Sequence, residues 1–273
     1  MQSMTIRFGI VGDGPRAAEA LVELAAGLLR ARGPIIDPVF FSTYAGLLAG
    51  CSAGLCDAVW APPLVAQELR FTDMRTPVAV VAREGGAFYY SALVVGADSR
   101  GRAPGLHELR GKRVAWVSPR SAAGYVVPCL QLRALGYEPD TYFGSQQFYF
   151  THERALRALE LGDADVAATY AHIGRHGLVR LTHAREARIV MTAGPIPGDL
   201  VLARESVEPA LGRALIGSVF DEGGPLARVT GARSFQRVPE RHFRAIERWS
   251  GLANAIGVLP PPRAVAHDVM VAG

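Results

Sequence analysis

The stretch that decides the fold runs Leu109-Arg-Gly-Lys-Arg-Val-Ala-Trp-Val-Ser-Pro-Arg-Ser-Ala-Ala-Gly-Tyr-Val-Val-Pro128. Its apolar part from Arg113 to Val117 predicts a buried strand, and the segment from Ser118 to Gly124 predicts a turn that opens a helix. Such a turn directs unpaired backbone N–H groups at whatever lies above the end of the strand. The sequence therefore predicts a seat for an anion or another polar ligand here.

The beginning of the chain follows the same order of elements. Residues 6–14 predict a strand and a glycine-rich turn, and residues 16–30 predict a helix with leucines at helical spacing on one face. Two such turns predict a cleft between two α/β lobes. The alternative is a pair of ordinary loops in an α/β protein.

The rest of the chain alternates predicted strands and helices, which is typical of mostly parallel sheets covered by helices on both faces. Among these elements are a helix over residues 122–135, a strand over 141–148 and a helix over 207–220. A weak repeat supports two lobes of like topology. Gly54-Leu-Cys-Asp57 and Gly162-Asp-Ala-Asp165 each stand between a predicted helix and a short apolar strand, about 108 residues apart.

Composition excludes several classes of protein. With 273 residues, 49% of them hydrophobic and 20% charged, the chain is long enough and apolar enough for a large core. Its net charge of +4 comes from scattered arginines, because Lys112 is the only lysine, and no nucleic-acid motif is present. No nucleic-acid partner is therefore expected. Three cysteines without C-x-x-C spacing predict reduced buried thiols instead of a zinc site.

The sequence shows no signal for secretion, for a membrane span, for catalysis or for a cofactor. The N-terminus enters a strand without a secretory signal, and no apolar run reaches the ~18 residues of a membrane span. We therefore expect a cytoplasmic protein without membrane insertion, or a periplasmic one if a leader was removed. No catalytic constellation and no cofactor motif stands out. His172 and His176 are spaced for one helix face, but lack a third metal ligand, so no metal is expected.

The stretch from Gly111 to Pro128 resembles the solute-binding proteins of phosphate/phosphonate ABC transporters, in which the strand is followed by a Ser-Thr-Ser-Gly turn. Further matches run through nearly the whole chain in the same order. They are Tyr44, Gly54 to Trp60, Pro62-Pro63, Tyr89 to Val95, Thr151-His-Glu153 and Gly194 to Leu202.

The resemblance implies an α/β type II periplasmic-binding-protein fold. In this fold two lobes, each a mostly parallel sheet flanked by helices, are joined by two crossover strands that act as a hinge around a ligand cleft. Residues 1–89 with 190–273 would form lobe one, and residues 90–189 would form lobe two.

The resemblance also implies a set of cleft residues. Tyr44 and Tyr90 would stack on a planar ligand or donate their hydroxyl groups. His152 would donate to an anion, and Asp199 would meet an amino group of the ligand. The complete set of candidate ligand-binding residues is Tyr44, Tyr90, Arg120, Ser121, Ala122, Ala123, Gly124, His152 and Asp199.

The cradling turn departs from the family at two positions. Ala122 and Ala123 stand where hydroxyl groups are expected, and each lost donor should cost about 1.5–3 kcal/mol toward a phosphonate. The backbone N–H groups remain, and Arg120 is a candidate for compensating the loss. This departure favours a planar or weakly acidic ligand over a plain alkylphosphonate.

Three functions stay open at this point. The first is non-catalytic binding of a small polar or anionic ligand, planar or not, for transport or sensing, with an ABC permease or a cytoplasmic signalling protein as partner. The second is a cytoplasmic enzyme on the same fold, similar to the chorismate dehydratase of the menaquinone pathway. The third is a structural or regulatory role without a ligand.

Overall fold

The structure, a computed structural model, describes residues 4–12, 14–96, 104–173, 179–181, 187–218, 220–221 and 223–255. The strands are β1 (Thr5–Val11), β2 (Ile35–Phe41), β3 (Ala58–Ala61), β4 (Thr76–Ala82), β5 (Phe88–Gly96), β6 (Arg113–Trp116), β7 (Ser145–Phe148), β8 (Val166–Ile173), β9 (Val179–Arg180), β10 (Ala187–Pro197), β11 (Leu200–Ala203) and β12 (Ser234–Gln236). The α-helices are α1 (Gly14–Arg30), α2 (Tyr44–Ser52), α3 (Pro63–Leu69), α4 (Val127–Ala134), α5 (Pro139–Tyr142), α6 (His152–Leu161), α7 (Glu208–Leu215), α8 (Pro225–Thr230) and α9 (Glu240–Ala255).

The strands form two sheets. The first has the order β12-β4-β11-β3-β1-β2, with β1 parallel to both β2 and β3 and with β11 antiparallel to β3 and β4. The second has the order β10-β5-β8-β6-β7, in which β6 is parallel to β7 and β8, and β5 is antiparallel to β8 and β10. Two α/β lobes result, as the resemblance implies.

Each sheet is covered on both faces. In the first, Ile6, Phe8 and Ile10 alternate along β1 and pack in one buried cluster with leucines of α1. The opposite face forms a second cluster with apolar side chains of α2 and α3. The second sheet has two further clusters on its faces, one containing Trp116 and the other containing Val117.

Both lobes contain the same ionic clasp, which explains the weak sequence repeat. In lobe one, Arg7 at β1 donates its backbone N–H, Nε and Nη2 to the Asp57 carboxylate, at 2.7–3.0 Å. In lobe two, Arg113 at β6 makes the same three hydrogen bonds to Asp165, at 2.9–3.1 Å. The repeated aspartate therefore ties the start of one parallel strand to the turn before its neighbour.

Two crossovers join the sheets. The chain passes from β4 to β5 through residues 83–87, and from β10 to β11 through Gly198 and Asp199. The crossovers touch each other, because the Gly198 N–H donates to the Ala87 carbonyl oxygen at 2.7 Å. A Cβ atom at Gly198 would lie 2.8 Å from the carbonyl oxygens of both Ala87 and Val81, so only glycine allows this approach. The predicted lobe boundary at residue 89 stays a prediction. The one predicted at residue 190 falls inside β10, which pairs with β5 in the second sheet as far as Pro197, so the crossover comes later in the chain.

Helix α9 spans the hinge. Ile246 is buried in the cluster of lobe one that contains α2 and α3, whereas Trp249 packs on the Trp116 cluster of lobe two. His242 lies between the lobes, fully buried, with its Nε2 atom 2.8 Å from the Gly198 carbonyl oxygen. Helix α9 is thus connected to both lobes and to the crossover.

Several predicted elements differ from the structure. The strand predicted over residues 141–148 begins at Ser145, because Pro139 starts the short helix α5. The helix predicted over 122–135 starts with a π-helical turn at Ala122–Val126 before α4. The helix predicted over 207–220 ends at Leu215, where Ile216 forms a bridge with Phe235. Within the described residues, no helix combines the length and the apolar character needed to span a membrane.

Candidate functional site

The carboxyl ends of the parallel strands in both sheets meet between the lobes, which is where open α/β sheets bind ligands. In lobe one this edge holds Tyr44 after β2, Arg83 after β4 and Asp199 before the antiparallel β11. In lobe two it holds the turn after β6 and His152 after β7. The topology therefore brings residues far apart in sequence to one cleft.

A buried ion pair lies at the lobe-one side of this cleft. The Arg83 Nη2 atom donates to Asp199 Oδ2 at 2.5 Å, and the Trp60 indole N–H donates to the same oxygen at 2.9 Å. The Arg83 side chain is 8% exposed and that of Asp199 is 12% exposed. Arg83 Nε donates to the Thr230 carbonyl oxygen at 2.8 Å, so its orientation is fixed from two sides. Asp199 therefore has a resident counter-charge.

The charges of the pair influence three tyrosines. Burial raises the pKa of Tyr44 and of Tyr89, and the Asp199 carboxylate raises both further while Arg83 opposes it. For Tyr170 of β8, burial again raises the pKa, and Arg83 opposes this more than Asp199 adds to it. The Arg83 guanidinium also stacks over the Tyr89 ring at 5.3 Å from its centroid. All three hydroxyls stay protonated and are potential donors.

Tyr90 faces the other side of β5 from Tyr89. It pairs with Ala171 and packs on the Val117 cluster, and a Cβ atom on Gly194 would lie 3.0 Å from its ring. Tyr44 and Tyr90 thus differ in surroundings: Tyr44 packs on the lobe-one cluster that contains α2 and α3, and Tyr90 packs on the lobe-two sheet. A ligand stacked between them stays a prediction.

The turn after β6 has the geometry of a helix N-terminus. The Ser121 Oγ atom accepts a hydrogen bond from the Gly124 N–H at 3.0 Å and caps the helical segment. The Gly124 carbonyl oxygen accepts from the Val117 N–H at 3.0 Å, which holds the turn against β6. At Gly124 a Cβ atom would lie 2.3 Å from Val117 Cγ2, so the turn closes only with glycine there.

Ala122 and Ala123 are buried, and their methyl groups pack in the Trp116 cluster. The Ala123 carbonyl oxygen accepts a hydrogen bond from Ser91 Oγ at 2.7 Å. Within the described part of the chain, the backbone N–H groups of Ala122 and Ala123 have no acceptor. Two buried donors thus lie at the carboxyl end of β6, and the anion seat predicted at this turn stays a prediction.

Arg120 makes a contact between the lobes. Its Nε atom donates to Glu68 Oε1 of α3 at 2.8 Å. A second pair, Arg16 of α1 with Glu153 of α6, joins the lobes at 2.5 Å on the exposed surface. The guanidinium that the sequence offered to a ligand is therefore engaged by a lobe-one carboxylate.

His152 is the first residue of α6, after the N-cap Thr151. Its Nδ1 atom lies 3.2 Å from Thr169 Oγ1, and its ring meets the Tyr170 ring edge-on at 4.9 Å between centroids. These contacts fix the imidazole at the edge of lobe two. The ring thereby lies next to Tyr170, whose pKa is influenced by the charges of Arg83 and Asp199.

Sequence reasoning missed Arg83, Tyr89, Tyr170 and the role of Trp60. Their positions in the sequence were the signal that could have identified two of them: Arg83 ends a predicted strand, and Tyr89 alternates with Tyr90 along β5. Metal binding has no support in the parts of the chain that the structure describes, where no group of three potential ligands occurs. The His172 and His176 pair is not tested, because His176 lies outside the described residues.

Comparisons with known proteins identify the family. Residues 12–230 match the family described as the periplasmic substrate-binding protein of phosphonate ABC transporters. The phosphate-import protein PhnD of Mycolicibacterium smegmatis is 24% identical over 229 residues, which are 76% of this chain and 71% of that protein.

Solved structures confirm the fold. A binding-protein component of an ABC phosphonate transporter from Pseudomonas aeruginosa has a TM-score of 0.73 and 20% identity, covering 96% of this chain and 91% of its own. PhnD1 from Prochlorococcus marinus, solved with methylphosphonate, has a TM-score of 0.70 and 14% identity, with coverages of 93% and 99%. The alkanesulfonate-binding protein SsuA from Xanthomonas axonopodis, solved with MOPS, has a TM-score of 0.60 and 19% identity, with coverages of 95% and 96%.

These findings decide between the open functions. They give no support to the dehydratase-like enzyme, to a cytoplasmic signalling partner or to a cytoplasmic location. They confirm a two-lobed fold and a role in binding a small molecule for an ABC permease. The chain belongs to the family of periplasmic substrate-binding proteins of phosphonate ABC transporters.

Proposed function

We propose that this protein captures a small oxyanion, phosphate or a phosphonate, in the cleft between its lobes and presents it to an ABC permease from the periplasmic side of the membrane. The family match supports this ligand class over the planar or weakly acidic ligand that the two alanines alone favour. The lobes would close on the ligand by bending at the two crossovers. No catalytic step is part of this function. The lobe division is part of the proposal, with its second boundary at the crossover after Pro197 instead of at residue 190.

The observation that carries the proposal is the pair of buried backbone donors at Ala122 and Ala123. The first N–H groups of any helix have no acceptor within the helix. When such a group is buried and stays unpaired, it costs about 1–3 kcal/mol, so a partner from outside the helix is favoured. The π-helical turn and α4 continue from them as one helical segment over residues 122–134, whose dipole favours negative charge at this end. An oxyanion seated there satisfies both donors.

The remaining walls of the proposed site come from both lobes. Tyr44 donates its hydroxyl from lobe one, because its raised pKa keeps the proton in place. His152 presents its imidazole from lobe two beside Tyr170. Arg120 acts in closure, since its pairing with Glu68 requires the lobes to be together. Tyr90 remains a proposed stacking surface for a ligand with a planar substituent.

The missing hydroxyls at positions 122 and 123 shape the affinity. Because the two alanine methyls pack in the lobe-two core, the turn contributes backbone donors and the capping Ser121 hydroxyl only. We therefore propose that a phosphonate binds less tightly here than at a turn with three hydroxyls.

Isothermal titration calorimetry with inorganic phosphate and with methylphosphonate tests the function. Wild-type protein should bind at least one of them with one site per chain. The variant Ala122→Pro removes one proposed donor at the first helical position, where proline fits. The preceding residue, Ser121, already has the extended backbone that a following proline requires (φ −82°, ψ 117°). It should weaken binding at least about tenfold while keeping the wild-type melting temperature. A folded wild-type protein that binds neither anion would refute the proposal.

A further inference from the structure

We infer that the Arg83–Asp199 pair sets the specificity of the cleft by excluding ligands with an ammonium group. The site would accept an oxyanion whose remaining part is uncharged, such as an alkylphosphonate, and reject an aminoalkylphosphonate. This inference rests on the proposed function and adds the class of substrate to it.

The pair is a built part of the structure. Asp199 Oδ2 receives hydrogen bonds from Arg83 and from the indole N–H of Trp60, at 2.5 and 2.9 Å. Arg83 is fixed from the other side by the Thr230 carbonyl oxygen, at 2.8 Å, and by the Tyr89 ring. Both charged side chains are almost fully buried, and each is held by more than one contact.

The pair also lies where a ligand would touch it. Asp199 follows β10 and Arg83 follows β4, so both belong to the crossovers that form the base of the cleft. The register places Leu200 opposite the last residue of β3 and opposite Val80, which fixes Asp199 at the carboxyl edge of the lobe-one sheet. Tyr44 of lobe one and Tyr170 of lobe two both sense its charge.

The charges at the bottom of the cleft determine which group of a ligand can bind there. Among the described residues, Asp199 is the one acidic side chain that is buried, and therefore the natural partner for a cationic group in the closed cleft. Its charge is already neutralised by Arg83. An ammonium group placed there would lose its water, find no free carboxylate and meet a like charge. A methyl group in the same place has no charge to repel Arg83 and gives up no strong hydration.

A matched pair of ligands tests the inference. n-Propylphosphonate and 2-aminoethylphosphonate have the same chain length, and differ by a terminal methyl group in place of an ammonium group. By calorimetry, wild-type protein should bind n-propylphosphonate at least about tenfold more tightly, which corresponds to 1.4 kcal/mol. Equal affinities, or tighter binding of the amine, would overturn the inference.

Charge variants separate electrostatics from the hydrophobic difference between the two ligands. Arg83→Gln leaves Asp199 without its partner and should shift the affinity ratio toward the amine by at least about tenfold. Asp199→Asn keeps an acceptor for Trp60, leaves the cation and should shift the ratio the other way. The double variant is neutral again and should restore the wild-type ratio. A ratio that stays constant across all of these variants would overturn the inference.

The outcomes also distinguish this inference from the proposed function. If a folded wild-type protein binds neither phosphonate nor phosphate, the proposed function fails and the inference fails with it. If it binds both phosphonates but prefers the amine, only the inference fails. Should Arg83→Gln not fold, Asp199→Asn and the double variant, both without an unpaired buried carboxylate, still decide the result.

Discussion

The substitution Gly124→Ala should destabilise the protein and also disrupt the proposed ligand seat. The added Cβ atom would lie 2.3 Å from Val117 Cγ2, 2.4 Å from Val117 Cβ and 2.7 Å from Ser121 Oγ. Val117 cannot yield, because its N–H donates to the Gly124 carbonyl oxygen, so the turn must lift away from β6. Overpacking costs about 1–3 kcal/mol, and the lost serine cap and the lost backbone hydrogen bond cost about 1 kcal/mol each. The expected total is about 3–5 kcal/mol.

Urea unfolding followed by tryptophan fluorescence measures this loss. The matched control is Gly251→Ala in α9, where a Cβ atom would meet nothing within 4 Å. That change should stabilise the protein by about 0.5–1 kcal/mol, because alanine is the better helix former. A loss below about 1 kcal/mol for Gly124→Ala, or a similar loss at both glycines, would refute the close packing of the turn on β6.

Three further predictions concern charged and titratable groups. Asp57→Asn should destabilise the protein at neutral pH, because the hydrogen bonds from Arg7 lower the pKa of Asp57 in the folded state. Their stabilisation is complete above the unfolded pKa of about 3.9, and it disappears as the pH falls through the lower folded pKa. Urea titrations from pH 7 to pH 2 should show this convergence with wild type, and a constant difference would contradict it. If Arg120 acts through its interlobe pair with Glu68, Arg120→Ala and Glu68→Ala should weaken phosphate binding by the same few-fold factor, and the double variant should lose no more. Calorimetry that shows a loss with Arg120→Ala alone would instead indicate a direct contact between Arg120 and the ligand. Burial lowers the pKa of His242, so folding is opposed as the pH falls below the unfolded value of about 6.5. Thermal unfolding of wild type should lose stability between pH 7 and pH 5 more steeply than that of His242→Gln, and parallel pH profiles would show that His242 does not contribute.

The sequence was sufficient for the architecture because the fold is encoded in local patterns. The apolar strand before Ser118, the capping serine and Gly124 are contiguous, and the structure forms the predicted strand, turn and helix there. The two copies of the Gly-x-x-Asp turn likewise correspond to the same clasp in each lobe. Patterns of this kind depend on residues that are neighbours in the chain, so the sequence alone is enough to recognise them.

The candidate site depended on contacts that no local pattern contains. The partner of Asp199 is Arg83, 116 residues away in the chain, and that of Arg120 is Glu68, 52 residues away. The side of β5 on which each tyrosine lies is set by pairing with β8, which places Tyr89 at the ion pair and Tyr90 on the opposite face. The sequence predicted a site at this edge of the sheet, which stays a prediction, and it gave no sign of the Arg83 charge beside Asp199.

A crystal structure of the protein grown with n-propylphosphonate tests the central claim most directly. We predict the phosphonate oxygens within about 2.7–3.2 Å of the backbone nitrogens of Ala122 and Ala123, with the alkyl chain directed toward Arg83 and Asp199 and that ion pair intact. A phosphonate bound away from the turn after β6, or one that separates Arg83 from Asp199, would contradict it.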